Sequence, residues 1–426
     1  MVPSIDWTLV LIPPITGIIG YVTNWVGIRL LFHPLDFHGF KMPGLKQLAP
    51  MLPMKIQQIP GVMEGKIGWQ GIIPSRSAKM GSIAYDTSIA KLASQREFYE
   101  RFDPDRIAQH IVTESRDNVH AYVDDLMSRE QPVVWSSIPD GSRKFVHSQI
   151  EDQLPAVTDR IVQATAEHID ELLSLKLMVI DYLDEHPELL NRLFLEVGEE
   201  ELQFLVNSGF YFGTLLGVFS IPLFVFFGGA WWVLPVSGVF VGYFTNYIAI
   251  KAIFNPQEPI EIGPFTIQGL FIQRQEEVSE RYAEIVAEEI ITIGNVTENL
   301  LYGKRSDRTR QLIEEAIRPS LDEALGMVAP VVRIATGDRR YEEIREALAT
   351  EGVEYGLEPL KDSDFNRERS VAIQHLISSR MQELPPQDFT MTLRSAFKED
   401  EWLLIGIGAA LGFVAGWIQL LVVTTI

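Results

Sequence analysis

Four long apolar segments constrain the fold of this chain more than any other feature. They run from about Thr8 to Phe32, from Phe204 to Phe227, from Trp231 to Phe254 and from Trp402 to Val423. Each is long enough to cross about 30 Å of hydrocarbon at about 1.5 Å per helical residue. One such segment could be a buried core helix, but four of them predict a membrane protein.

The distribution of lysine and arginine predicts how these segments are oriented. Outside them, every Lys and Arg lies in the two long connections, 33–203 and 255–401. The positive-inside rule therefore puts both connections in the cytoplasm and both termini outside. We expect a multi-pass membrane protein.

The segments divide the chain into membrane-spanning parts and helical connections. Apolar residues from Ile150 to Leu172 recur every three or four positions, which indicates helix, and no sustained alternation suggests a sheet. The predicted fold class is therefore an all-α membrane protein. The predicted parts are transmembrane helices at 1–33, 204–227, 231–254 and 402–426, a basic interfacial loop with an acidic helical domain at 34–203, and a second helical domain at 255–401.

A motif of the first apolar segment returns in the third. GYVTNWVGIRLLFHP at residues 20–34 matches GYFTNYIAIKAIFNP at 242–256, and WQGIIPSR, ending at Arg76, matches IQGLFIQR, ending at Arg274. Since each half contains two crossings, both halves would enter the membrane in the same direction. The sequence predicts parallel repeats, 1–220 and 222–426, related by a pseudo-two-fold axis along the membrane normal.

The pattern GYxTNxxxI(K/R)xxFxP, followed by QGxxxxR and a closing GxxxGxxxG segment, resembles the bacterial membrane-protein family catalogued as domain of unknown function 445. The likeness covers nearly the whole chain. It implies this architecture and a bacterial cytoplasmic membrane, and it implies no particular activity.

Each repeat places a polar Thr-Asn pair inside an apolar segment: Thr23-Asn24 and Thr245-Asn246. An unpaired amide in hydrocarbon costs several kcal/mol, so each asparagine needs a partner. Asn24 could bond Asn246 across the pseudo-two-fold axis as a device of helix association. Alternatively, the two pairs line a polar cavity for a ligand or ion.

Four cations lie at or beyond the cytoplasmic ends of the repeated segments. Arg29 and Lys251, five residues after the asparagines, either snorkel to the lipid phosphates or contact an anionic headgroup or substrate. Arg76 and Arg274 are further candidates for headgroup or anion contacts.

Glycines at every fourth position form a ladder toward the end of each half. Small residues with this spacing let another helix approach closely, so we expect each ladder to pack against a segment that carries a Thr-Asn pair. The expected packing glycines are Gly20, Gly242, Gly209, Gly213, Gly217, Gly408, Gly412 and Gly416.

Composition excludes several classes of function. The chain has no cysteine, which excludes disulfides, thiolate metal sites and cysteine nucleophiles. A net charge of −21 argues against nucleic-acid binding. No HExxH or GxSxG motif occurs, so we predict a protein without enzymatic activity, cofactor or metal site.

Charge is unevenly divided within the first connection. Residues 33–79 hold six cations and two acids, whereas residues 97–200 hold 23 acids and nine bases. A basic collar suits an anionic leaflet. Two functions fit: non-enzymatic handling or transport of a lipid or other amphiphile at the inner leaflet, or a membrane scaffold that recruits partners through its acidic helical domains. The expected partners are membrane lipids, with a second copy or another protein as the alternative.

Overall fold

The chain forms two compact units that each draw on both halves of the sequence. The computed structural model describes residues 7–51, 57, 61–116, 118–130, 132–326, 339, 357–398 and 401–425. It is mostly helical, at 82%. The first unit comprises residues 1–89, 180–282 and 378–426, and the second unit comprises residues 90–179 and 283–377.

Among the described residues, four helices are long and apolar enough to cross a membrane, and all four belong to the first unit. We call them the first to fourth apolar helices: Ile12–Phe32, Glu199–Phe226, Val233–Phe254 and Glu401–Thr425. The second begins five residues before the predicted 204, because three glutamates form its first turn. Carboxylates there complement the positive end of the helix dipole.

The apolar helices pack as two close pairs, first with second and third with fourth. A Cβ atom on Gly20 would lie 2.1 Å from the carbonyl oxygen of Gly209, and one on Gly242 would lie 2.1 Å from that of Gly408. Only glycine allows the two backbones to touch at these points. The rest of each ladder continues along the same interface, with Gly213 facing Thr16 and Gly412 facing Gly238.

The two pairs are joined at the end of the bundle where the first and third apolar helices begin. Gln419 of the fourth helix is buried, and its Nε2 donates to the Ile12 carbonyl at 3.2 Å and to Thr16 Oγ1 at 2.9 Å in the first. Around this bond lies an apolar cluster drawn from all four helices: Ile12, Phe224, Val233, Leu234 and Leu420.

The described part of the chain also contains two short antiparallel hairpins, which the sequence did not indicate. The first hairpin pairs His38–Lys41 with Lys66–Trp69, and the second pairs Ile260–Ile262 with Phe265–Ile267. Each follows the end of an apolar helix that carries a Thr-Asn pair. Strands of three or four residues are too short for their alternation to be seen in the sequence.

Most of the remaining helices mix charged and apolar side chains. In the second unit the long helix Asp140–Leu172 contains the predicted apolar repeat, and it packs against Pro104–Arg116 and Ser306–Gly326. Further helices are Gln95–Arg101, Val119–Glu130, Pro132–Ser137 and Ile293–Tyr302 in the second unit, Ser77–Ala84, Pro187–Val197 and Pro386–Lys398 in the first, and Leu175–Glu185, Gln275–Ile285 and Ser363–Gln382 across the boundaries.

Replacing a ladder glycine should destabilise the bundle. In Gly408→Val the new side chain would meet Asn246 Nδ2 at 2.3 Å and the Gly242 carbonyl oxygen at 2.8 Å, so the helices must separate. We expect a loss of about 1–3 kcal/mol in the free energy of unfolding, the usual cost of overpacking. Unfolding in mixed micelles measures it.

Gly406→Val is the matched control, since a Cβ at this position on the same helix meets nothing within 4 Å. Equal losses in the two variants would show that the ladder is not a packing surface.

Candidate functional site

The two Thr-Asn pairs lie at the buried interfaces of the helix pairs. Asn24 Nδ2 donates to the Leu205 carbonyl oxygen at 2.8 Å, and Asn246 Nδ2 donates to the Leu404 carbonyl oxygen at 3.0 Å. Both asparagines are fully buried. Neither Nδ2 group bonds the other asparagine, which was one of the two alternatives: each donates to a backbone carbonyl within its own helix pair.

The threonines beside them serve their own helices. Thr23 Oγ1 donates to the Gly20 carbonyl at 3.0 Å, and Thr245 Oγ1 donates to the Gly242 carbonyl at 3.4 Å. These are the glycines at which the helix backbones touch. Each Thr-Asn pair thus lies beside a point at which the two helix backbones touch.

One acceptor on each asparagine remains without a partner. Among the described residues, Oδ1 of Asn24 and Oδ1 of Asn246 are buried and make no hydrogen bond. An amide oxygen without a donor in an apolar interior is costly. Each asparagine therefore holds its helix pair together through its Nδ2 donor and keeps its Oδ1 acceptor unused.

The predicted interfacial cations lie on the outer surface of the apolar helices. Arg29 is exposed, with its guanidinium 5.6 Å from the ring centre of Trp25. Lys251 is also exposed, with its Nζ 5.9 Å from the ring centre of Tyr247. A cation over an aromatic ring near a helix end is the arrangement expected where a side chain reaches lipid headgroups.

An apolar cavity of about 100 Å³ lies at the end of the bundle where the first and third apolar helices finish and the second and fourth begin. All four helices line it, through Phe32, Leu205, Ile250 and Leu404. Leu205 and Leu404 are the residues whose carbonyls the asparagines hold. The polar pairs therefore fix two walls of the cavity, although the cavity surface itself is almost entirely apolar.

Four polar side chains interrupt the apolar lining: Glu201, Tyr282, Thr392 and Glu401. Tyr282 is buried, its hydroxyl lies 2.8 Å from Ser88 Oγ, and burial raises its pKa to about 12. The tyrosine is therefore a neutral phenol at any physiological pH. Thr392 Oγ1 donates to the Thr87 carbonyl at 3.1 Å.

Both glutamates of the lining are paired with arginine. Glu201, only 2% exposed, accepts from Arg274 NH1 at 3.1 and 3.0 Å on its two oxygens. Glu401 accepts from Arg394 Nε at 2.6 Å and from NH2 at 2.9 Å. A buried carboxylate without its arginine would be strongly unfavourable, so these pairs hold charge at the cavity wall.

Arg274 is therefore not a free cation. Besides Glu201 it contacts Glu277 at 2.7 Å and Glu200 at 3.1 Å, and the pKa of its guanidinium is raised, first by Glu277 and then by Glu201. We predicted that Arg274 would bind an external anion. In the structure its guanidinium instead contacts three carboxylates of the chain itself. Arg76 is partly exposed and ends a short 3₁₀ turn, Pro74–Arg76.

Sequence reasoning missed Gln419, Tyr282 and the arginine–glutamate pairs. Gln419 had a readable signal, a lone amide in a charge-free apolar segment, which must find a partner as the asparagines do. Tyr282 and the Arg274–Glu201 pair had no such signal, because their partners lie more than 70 positions away in the chain. The pair Arg394–Glu401 is local but has no distinctive sequence pattern. Within the described ranges, no three His, Asp or Glu side chains are grouped so as to hold a metal ion.

Comparison with known proteins supports the membrane assignment. The chain is similar to a UPF0754 membrane protein of Cyanothece sp., with 33% identity over 96 residues, which is 21% of this chain and 23% of the relative. It is also similar to a UPF0754 membrane protein of Staphylococcus aureus, with 24% identity over 149 residues, 34% of this chain and 38% of the relative.

These matches cover less than two fifths of the relatives, which belong to an uncharacterised bacterial membrane family. No protein-family model matches the chain. No solved structure matches it either.

Removing Arg274 should destabilise the protein through the glutamate it leaves behind. In Arg274→Gln the nearly inaccessible Glu201 loses its counter-charge. We expect a loss of about 3 kcal/mol in the free energy of unfolding. The double variant Glu201→Gln/Arg274→Gln should recover much of it, because no uncompensated charge remains buried. Unfolding in detergent, monitored by circular dichroism, measures both.

Arg308→Gln is the control, because the ion pair of Arg308 with Glu171 is more than half exposed on both sides. It should cost less than about 1 kcal/mol. If the double variant is no more stable than Arg274→Gln, the buried charge is not the reason for the loss.

Proposed function

We propose that this protein holds or transfers a lipid or similar amphiphile, without chemical change, at the cytoplasmic face of the inner membrane. The observation that carries the proposal is the apolar cavity lined by all four apolar helices. In the proposed topology the two long connections are cytoplasmic, since they contain every Lys and Arg outside the predicted spans. The cavity then lies at the inner leaflet.

The proposal includes two parallel repeats, and matched contacts support it. The asparagine–carbonyl bonds, the glycine contacts and the hairpins all occur once in each half. After each hairpin the backbone returns to the end of the preceding helix, from Gly71 N to the Pro34 carbonyl and from Gly269 N to the Pro256 carbonyl, both at 2.9 Å. We propose membership of the family catalogued as domain of unknown function 445 on the same motifs.

The size and lining of the cavity favour part of an acyl chain. An apolar cavity of about 150 Å³ can bind benzene, so one of about 100 Å³ takes an apolar group of a few carbons. The end or a bend of an acyl or isoprenoid chain has that size. Water is a poor occupant of such a surface, because it needs two to four polar partners.

The polar groups of the lining suit the other end of an amphiphile. The Tyr282 hydroxyl accepts from Ser88 and can donate to a carbonyl or hydroxyl oxygen of a ligand at the cavity wall. The Thr392 hydroxyl donates to the Thr87 carbonyl and can accept from a ligand hydroxyl group. The arginines bound to Glu201 and Glu401 keep cationic nitrogen close by. These hydroxyl groups and arginine–glutamate pairs are compatible with the neutral or anionic polar part of an amphiphile. None of these side chains is an activated nucleophile.

Filling the cavity should abolish lipid retention. In Ile250→Trp, an indole ring replaces the smaller isoleucine side chain, which is 7% exposed and lines the cavity. We expect native mass spectrometry of the detergent-extracted wild-type protein to show a bound lipid that the variant lacks. The experiment should be repeated with Leu404→Phe, a smaller change on the facing helix.

Ile248→Trp is the control, because Ile248 is 39% exposed on the outer surface of the same helix. It should retain the lipid. A wild-type protein that carries no lipid, or an Ile250→Trp protein that keeps it, would contradict the proposal and leave the scaffold function as the better account.

A further inference from the structure

The first hairpin presents an apolar surface that nothing in the described part of the chain covers. Phe40 and Ile67 are cross-strand partners on one face of it and are 68% and 44% exposed. The segment between its two strands also exposes Leu48 at 58% and Met51 at 82%. Exposed apolar side chains in such a group mark a site of contact with a partner or a membrane.

The opposite face of the first hairpin is already packed. Phe37 lies against Gly39, Gly61 and Gly68, where a Cβ atom would come within 2.4–2.8 Å of its ring. Lys66 Nζ lies 5.4 Å from the centre of the same ring. The hairpin thus has one face closed by its own chain and one face open.

The hairpin is fixed to the end of the first apolar helix. Trp69 Nε1 donates to the Leu30 carbonyl at 2.9 Å, and Gln70 Nε2 donates to the Leu35 carbonyl at 2.7 Å. Ile67 is two residues along the strand from Trp69, about 7 Å at about 3.4 Å per residue. The open face is therefore about 7 Å along the strand from a residue whose side chain bonds the end of the helix.

The charges around the open face identify its partner. Lys41 and Lys46 are exposed on the hairpin strand and on the segment between its strands, and residues 38–69 hold four lysines and one acid. We propose that the first hairpin is a membrane-surface anchor that inserts Phe40, Ile67 and Met51 among the headgroups of a bilayer containing anionic lipid. Apolar insertion combined with lysine attraction is how interfacial segments bind such leaflets.

The second hairpin has the same apolar character with the opposite charge. Ile260 and Ile267 pair across it and are 51% and 47% exposed. Its neighbouring charged residues, Glu258 and Glu261, are acidic and exposed. An anionic leaflet would repel them, so the two halves differ in how they bind lipid. This anchoring does not depend on the cavity proposal.

Single-cysteine probes test the anchor, because the chain has no cysteine of its own. Full-length Phe40→Cys and Met51→Cys proteins carry an environment-sensitive fluorophore in nanodiscs of phosphatidylcholine with or without phosphatidylglycerol. We expect brominated acyl chains to quench the probes, and iodide to fail to quench them, in the discs with phosphatidylglycerol. Ile260→Cys is the matched control and should show no such dependence on lipid charge.

Charge reversal separates the anchor from other partners. Adding Lys41→Glu and Lys46→Glu should lower the preference of the probe for anionic discs by about fivefold per lysine. Probes that stay open to iodide in every disc would overturn the proposal. So would shielding that is independent of lipid charge but depends on the number of proteins per disc, since this would assign the face to a protein contact.

Discussion

The fold depends on how each helix pair satisfies its polar groups in an apolar setting. Hydrocarbon offers no hydrogen bonds, so the amide NH₂ groups of Asn24 and Asn246 must find acceptors within the protein. Each finds a carbonyl of the adjacent helix, and it can reach that carbonyl only because glycines let the backbones touch. The asparagine and the glycines are therefore one device, and each pair contains a complete copy of it.

Because each helix pair is held together by its own hydrogen bonds and glycine contacts, the packing between the two pairs can differ from one end of the bundle to the other. At one end Gln419 and an apolar cluster close this contact. At the other end the pairs enclose a cavity whose walls include Leu205 and Leu404, the two carbonyl acceptors. The same bonds that hold each pair together thus hold two residues of the cavity lining, which relates the structural and the ligand-binding interpretations of the Thr-Asn pairs.

Much of the first unit could be predicted from sequence, because membrane insertion imposes length, apolar content and polar satisfaction on single segments. The apolar helices follow from these rules. The hydrogen-bond partner of Asn24 could not be predicted, because every helix offers backbone carbonyls and the sequence does not show which of them lies near Asn24. The first hairpin could not be predicted, because a strand of four residues is too short to show an alternation of apolar and polar residues. The cavity could not be predicted, because the residues that line it are as far apart in the sequence as Phe32 and Leu404.

The central claim is that two equivalent helix pairs enter the membrane in the same direction. Exposed sites for single cysteines are Asp159, Asp307 and Trp231. A membrane-impermeant maleimide applied to spheroplasts should label Trp231→Cys at once, and Asp159→Cys and Asp307→Cys only after permeabilisation. Labelling of one of the two aspartate sites but not the other in intact spheroplasts would contradict the account.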